Sequence, residues 1–195
     1  MPRRGLDRAA VVALAVAIAD GDGLDAVTLA RVAAEAGVRP PSLYNHVAGR
    51  EDLVRAIALI GIRELGAAMQ AAAVGRAGDD ALRAAAGAYR AYAHAHPGRY
   101  AAAMRAPAAG DEALAAAAAE TVATVATLLR AWTLPEDEMV HAVRAVRSGL
   151  HGFVALEADG GFGLPVDREA SFDRLVAALA AGLGAQAKQG SRPRA

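Results

Sequence analysis

Arg39, Ser42, Tyr44, Asn45 and His46 place five hydrogen-bonding side chains within one short segment. Each has a use at a nucleic acid. Arginine bonds bidentately to guanine and asparagine to adenine, while serine and tyrosine hydroxyls hold phosphate oxygens. Leu43 and Val47, four residues apart, give the same segment an apolar backing. A polar face over an apolar stripe suits a reader of the major groove. It fits equally well a pair of short amphipathic helices in an ordinary bundle, with Tyr44 a packed aromatic and His46 a satisfied surface imidazole. Periodicity alone does not separate the two.

The elements that must hold these residues are legible from punctuation. Thr28 is a good N-cap for a helix closing at Gly37, in which Leu29, Val32, Ala33 and Ala36 recur at helical spacing. A turn at Gly37-Val38 leads to a second short helix, about Pro40 to Val47, and together they make a helix-turn-helix. Such a motif enters the groove with the N-terminal turn of its second helix, so Arg39 to Asn45 have first access. Pro40 and Pro41 have no N–H to leave unsatisfied at a helix start and stiffen it. Arg31 lies on the exposed side of the preceding helix, within reach of the DNA backbone. Near Gly49 and Arg50 a long helix begins, running to about Ala73, whose free N–H groups suit a phosphate.

Composition frames this reading. The chain has 195 residues, 55% hydrophobic and only 4% aromatic, with alanine dominating the apolar share. Alanine is the strongest helix former, which points to an all-α fold. Without cysteine there is no disulfide, thiolate chemistry or cysteine-ligated metal. No apolar run reaches the ~18–20 residues of a membrane span, and Asp7, Arg8 and Asp20 break any leader pattern, so no membrane partner and a cytoplasmic setting are expected. The 21 Lys+Arg balance the 21 Asp+Glu, which at first sight speaks against a nucleic-acid partner. Placement qualifies that. Arg31, Arg39 and Arg50 fall on the predicted DNA face, whereas most acids of the first fifty residues fall at or beyond the end of the first helix.

About nine helices are expected, without strands. The first runs from about Leu6 to Asp20, with Leu6, Ala10, Ala13, Leu14, Ala17 and Ile18 on one face. After the helix ending near Ala73, five more lie near Ala81–His96, Pro97–Arg105, Asp111–Trp132, Glu136–Ala158 and Arg168–Leu183. The expected organisation is a helix-turn-helix domain over 1–52, a C-terminal helical bundle over 53–185 with helix four (about 50–73) as the connection, and a mobile tail over 186–195. Met1 to Arg4 form a short basic arm, either solvated or inserted into a minor groove.

One family matches these features together. Thr28, Ala33-x-x-Ala36-Gly37-Val38, Leu43-Tyr44-x-His46 and Arg50-Glu51-x-Leu53 resemble the DNA-binding domain of the tetracycline-repressor (TetR) family. The likeness extends upstream through Gly23 to Val27 and covers roughly the first quarter of the chain. It implies a homodimeric, ligand-responsive regulator, usually a repressor, whose partners are a double-stranded DNA operator, a second copy of itself and a small-molecule effector. Two recognition helices would then sit about 34–36 Å apart on a near-palindromic site. This chain departs from the family pattern in having Arg39 where Ser or Thr is usual, Val47 where Phe is common, and Arg50 in place of Lys. Arg39 cannot cap, and is expected to read a base or a phosphate.

The remaining chain says less. Val143, Val146, Leu150 and Val154 form one apolar stripe, and Phe172, Leu175, Val176, Leu179 and Leu183 another. With the small face of Ala145, Ser148, Gly149 and Gly152 they suit a two-fold four-helix bundle, or packing inside one chain. Arg147 to Glu157 and His96 to Tyr100 resemble the C-terminal domain of a TetR subgroup labelled by its His-Gly motif, a likeness that names no ligand. Tyr92, Met104 and Trp132 could line an apolar pocket with His96 and Tyr100, or be ordinary core. Arg144, Arg147 and His151, at i, i+3, i+7, could anchor an anion or pair with carboxylates. The histidine spacings suit no metal pair, and no metal or cofactor is expected. Two other classes fit the composition, a histidine-containing bundle enzyme and a structural helical dimer. For the enzyme there is no phosphate loop, nucleophile motif or Glu-x-x-His pair.

Overall fold

A computed structural model describes residues 6–190, with side chains to 187. The Met1–Arg4 arm and the last five residues of the predicted tail lie outside the described residues. Eight α-helices follow one another: α1 (Arg8–Asp22), α2 (Leu29–Ala36), α3 (Arg50–Ala73), α4 (Gly78–Ala95), α5 (Pro97–Ala103), α6 (Glu112–Leu129), α7 (Glu136–Ala158) and α8 (Arg168–Gly190). Short 3₁₀ helices occupy Leu24–Ala26, Pro40–Asn45 and Arg130–Trp132, and the described residues contain no strand. The fold is all-α, as expected.

Two compact units divide the chain. The first takes the residues through Glu64 together with Ala95–Ala118, and the second takes Leu65–His94 with everything from Ala119 onward. The first unit reaches past residue 52 because α5 packs against α1. A Cβ on Gly98 would sit 2.1 Å from the Ala19 carbonyl, and one on Gly61 of α3 would sit 2.4 Å from the Arg99 carbonyl oxygen. Only glycine at both positions lets α5 approach both helices so closely.

The core of the first unit joins Val11, Ala15 and Ile18 of α1 to Val27, Val32, Leu43, Val47, Leu53 and Ile57. The buried face of α1 is Val11, Val12, Ala15, Ile18 and Ala19; of the predicted face Ile18 is buried and Leu6 and Leu14 pack against the core, while Ala13 and Ala17 are exposed. The correction has a simple cause: valine buries more apolar area than alanine, so the two valines orient the helix. Asp7 caps α1, its carboxylate accepting from the Ala10 N–H at 2.7 Å.

In the second unit α7 packs against α8. Val143, Val146, Leu150, Phe153 and Val154 face inward with Phe172, Val176, Ala180 and Leu183. A Cβ on Gly149 would touch Leu179 at 3.3 Å and Leu175 at 3.6 Å, which places both leucines over α7. Phe153 meets Phe162 and Phe172 with ring centroids at 4.8 and 5.1 Å. The Arg90 guanidinium lies 4.9 Å from the Phe172 centroid and bonds Glu157 through Nε and Nη2 at 2.8 and 2.7 Å. Glu169 and His94 complete this group, at 2.5 Å from Arg90 and 2.8 Å from Glu157 respectively.

α8 continues to Gly190, beyond the predicted end at Leu183. Glycine inside a helix costs only about 1 kcal/mol relative to alanine, and Ala185, Gln186 and Ala187 favour continuation. By length and composition α3 and Glu112–Trp132 are each apolar enough to cross a membrane, with mean hydropathies of 1.3 and 1.4. The run-length criterion overlooked them because isolated charges and threonines interrupt the runs. α3 buries Leu53, Ile57, Ile62, Leu65 and Met69, the pattern of a core helix.

Candidate nucleic-acid interface

Thr28 Oγ1 accepts the Arg31 N–H at 3.1 Å and so starts α2. Gly37 ends it in the left-handed region, φ 67° and ψ 30°, a conformation that costs a side chain about 1–2 kcal/mol. The Val38 N–H returns to the Ala33 carbonyl at 3.0 Å, which completes the turn and aims the chain at the next helix.

That short helix is 3₁₀ and covers Pro40–Asn45, ending just before the Val47 read from the sequence. Two consecutive prolines remove donors, and Arg39 at the N-cap makes no side-chain cap, so the tighter i→i+3 pattern is what remains. Ser42 N–H bonds the Arg39 carbonyl at 2.9 Å, and His46 N–H the Leu43 carbonyl at 2.8 Å. Leu43 is fully buried and Val47 nearly so. Between them the opposite face is open. Arg39, Pro40, Pro41, Ser42, Tyr44 and Asn45 are exposed, and His46 is half-buried. Tyr44 is 62% exposed, which corresponds to the surface reading of the segment and not to a packed aromatic.

The three arginines of the predicted face differ in their freedom. Arg31 is tied to Glu35 and Asp22, each at 3.0 Å. Arg50 turns toward the protein, where Nε donates to the Val27 carbonyl at 2.8 Å and Nη2 to the Leu24 carbonyl at 3.2 Å, with Asp25 at 3.4 Å. The unattached positive charge expected of Arg50 is therefore engaged in holding the 3₁₀ turn Leu24–Ala26 to α3. The Arg39 side chain makes no hydrogen bond or ion pair among the described residues.

Sequence reasoning missed what braces the loop behind the recognition segment. Arg8 grips both Asp52 oxygens at 2.6 Å and donates to the His46 carbonyl at 3.0 Å. Asp52 also accepts the Ala48 N–H at 3.0 Å. These bonds hold the Asp52 carboxyl down at about 2, the Arg8 hydrogen bond being the largest cause. The local signal was an acid three residues beyond Gly49, where a capping box places one; its arginine partner lies 44 residues upstream.

A second brace joins α1, α3 and α5. Arg99 donates its backbone N–H and Nε to the two oxygens of Asp20 at 2.9 and 2.8 Å, and Nη1 to Glu64 at 2.6 Å. His96 Nδ1 stands 2.6 Å from Arg99 Nη2.

The predicted pocket residues are divided between the two units. His96, Tyr100 and Met104 belong to the first unit, and Tyr92, Trp132, Arg144 and His151 to the second. Tyr92 and Tyr100 are buried and Arg144 is exposed. The predicted dimer stripe is largely covered within one chain. Val143, Leu150, Val154, Phe172, Val176 and Leu183 are buried inside their own chain, and Leu175 and Leu179 are half-buried over α7. Apolar stripes on neighbouring helices pair within the chain first, since no association entropy opposes that contact. Of the predicted surface only Ser148 is exposed and Gly152 half-exposed. The outward faces carry small residues instead: Ala145 and Ser148 on α7, and Ala177, Ala178, Ala181, Gly182 and Ala185 on α8.

Comparison with known proteins matches this geometry. The family model of bacterial regulatory proteins of the tetR family matches residues 11–57, and that of the tetracyclin repressor-like C-terminal domain matches residues 82–179. The HTH-type transcriptional regulator Rv0681 of Mycobacterium tuberculosis is 40% identical over 179 residues, covering 91% of this chain and 82% of its own length. YobS of Bacillus subtilis, also an HTH-type transcriptional regulator, is 36% identical over 162 residues, covering 83% and 84%. Two solved structures share the fold. SCO7222, a TetR from Streptomyces coelicolor, superposes with a TM-score of 0.73 at 18% identity, covering 93% of this chain and 99% of its own. TetR-Q116A from Acinetobacter baumannii, in complex with minocycline, gives 0.68 at 24%, covering 91% and 96%. With an outward-facing helix-turn-helix, both family domains in order and a 40% identical regulator across most of its length, this chain belongs to the TetR family of bacterial transcriptional regulators.

Proposed function

We propose that the chain is a cytoplasmic homodimeric repressor that binds a near-palindromic operator and leaves it when a small molecule occupies the C-terminal domain. The observation that carries the DNA-binding half is the recognition segment itself. Its apolar residues are buried, and Arg39, Ser42, Tyr44 and Asn45 stand exposed on the other side. In this reading Arg39 and Asn45 read base edges, Ser42, Tyr44 and His46 hold phosphates, and the backbone N–H groups near Gly49 receive a further phosphate. Thr28, Pro40, Pro41 and Arg50 act by holding the segment in place. The protein works by binding, with no catalytic step.

An operator selected from random duplex DNA tests this. Arg39→Ala is expected to weaken that operator about tenfold or more and to relax preference at one base pair, since a bidentate contact discriminates by about 1–3 kcal/mol. Unchanged affinity and selectivity would remove Arg39 from the site. With Arg31 and Arg50 already paired, non-specific binding has a shallow salt dependence. Steep salt dependence on random DNA would contradict the assignment.

The dimer rests on the outward small-residue faces of α7 and α8, which allow close helix approach, with Leu156 beside them 51% exposed. Ser148→Arg is expected to yield monomers in sedimentation and to abolish tight operator binding while melting like the parent. A variant that stays dimeric would place the interface elsewhere. The effector acts through α5 and α3. α5 is braced to α1 by Arg99, and α3 continues from the first unit into the second. A shift of either helix therefore changes the placement of the recognition segment.

A further inference from the structure

Arg55 lies one helical turn after Asp52 on α3, and no step above uses it. Residues three apart on a helix are neighbours, so its guanidinium can reach the carboxylate that braces the loop behind the recognition segment. It is held elsewhere. Nε and Nη2 donate to the two oxygens of Asp111 at 2.6 and 2.7 Å. The Asp111 side chain is 7% exposed. It also caps α6, its Oδ1 accepting the Leu114 N–H at 3.1 Å.

Four side chains of alternating sign thus form two bidentate pairs, Arg8 with Asp52 and Arg55 with Asp111, contributed by α1, α3 and the start of α6. The pairs are close enough that the Arg55 charge helps to hold the Asp52 carboxyl down. All four residues belong to the first unit, and α6 runs on into the second after Ala118. Asp52 has no oxygen to spare: Arg8 takes both, and the Ala48 N–H shares Oδ2. A second guanidinium can join only by displacing one of these donors. Arg8 and Arg55 are 48% and 46% exposed, so the two arginines compete for a carboxylate on nearly equal terms. A partner on the same helix has the smaller loop to close.

We propose that Arg55 is a positioning residue for DNA binding with two alternative partners. Bound to Asp111, it leaves Asp52 to Arg8 and the loop. Released from Asp111 by a shift of α6, it turns to Asp52 on its own helix, displaces the Ala48 N–H and loosens the grip of Arg8. The loop from His46 to Gly49 then loses its brace. A movement at the start of α6 thereby reaches the recognition segment without any bend in α3. The inference rests on the DNA-reading role of that segment and names the residue whose choice of partner sets its order.

Asp111→Asn releases Arg55 while keeping a good cap for α6. Full-length protein carrying it is expected to bind the selected operator about tenfold more weakly, the scale of coupling through such networks. Arg55→Gln removes the competitor and should bind within about twofold of the parent. The double variant should bind like Arg55→Gln, so the second substitution rescues the first. A pair that merely fastened α6 to α3 would make both single variants weak and the double variant no better than either. The Ala48 amide proton resonance gives the same comparison without DNA. It should move toward its unbonded position in Asp111→Asn alone and return in the double variant. The inference is overturned if Asp111→Asn binds like the parent, if the double variant binds no better than Asp111→Asn, or if the Ala48 resonance stays in place. If the parent binds no selected operator, the regulator reading fails, and the Ala48 resonance alone decides the partner exchange.

Discussion

Replacing Gly98 by alanine is expected to destabilise the protein by about 3 kcal/mol or more, at the upper end of what overpacking a tight contact costs. The added methyl would stand 2.1 Å from the carbonyl carbon and oxygen of Ala19. Neither is the end of a flexible side chain, so α5 must move away from α1. That movement stretches the bonds between Arg99 and Asp20. Two measurements should therefore change together: the melting temperature falls by roughly 10 °C for a chain of this size, and operator affinity falls because α1 carries the helix-turn-helix core. Gly87→Ala is the control. Nothing lies within 4 Å of a Cβ there, its φ is ordinary and it sits inside α4. Exchange of glycine for alanine at such a site is expected to stabilise by about 0.5–1 kcal/mol. A Gly98→Ala protein that melts with the parent would show that α5 does not make this contact in solution.

The second large effect concerns Glu157. Its carboxylate is 7% exposed and its partner Arg90 15%. The Arg90 hydrogen bonds, with help from His94, hold the Glu157 carboxyl at about 2 against an ordinary 4.5. A depressed native value means that the ionised form is the stabilised one. The contribution is complete above pH 4.5 and disappears as pH falls toward 2. It amounts to about 3 kcal/mol at neutral pH. Stability measured by denaturant should drop steeply between those two pH values. In Glu157→Gln that part of the drop should be absent and the neutral-pH stability lower. The substitution leaves Arg90 with Glu169 alone, beside Phe153 and Phe172. Breaking a buried pair this way costs about 3–5 kcal/mol. Parallel pH profiles for parent and variant would assign the acid transition to other carboxylates.

Local elements were readable in the sequence wherever a residue's role depends on its immediate neighbours. Thr28 caps because its hydroxyl reaches an N–H three residues on. Gly37 turns because a left-handed residue is needed there. Leu43 and Val47 are buried because a short helix has one apolar side. These suffice for the helix order, the turn and the outward set from Arg39 to Asn45. They also carried the family likeness, since the motif is contiguous. On α1 the periodicity picks out Leu6, Leu14 and Ile18 correctly but not which alanines accompany them, because Val11 and Val12 set the orientation.

What the sequence could not determine was which charged groups find each other and which apolar stripes remain for a second molecule. Arg31, Arg39 and Arg50 look alike along the chain. Only the folded backbone shows that Arg50 meets the Val27 and Leu24 carbonyls, that Arg31 meets Asp22, and that Arg39 meets neither. Arg8 and Asp52 are 44 residues apart, and Arg90 and Glu157 are 67 apart; no local spacing announces either pair. The stripes on α7 and α8 were equally ambiguous, for an apolar face records that something will cover it and not what. The sequence by itself determined an all-α chain with a DNA-reading turn near its start. The tertiary structure decided which of its arginines remain available to DNA, because ion pairing and burial depend on distances through space that separation along the chain does not encode.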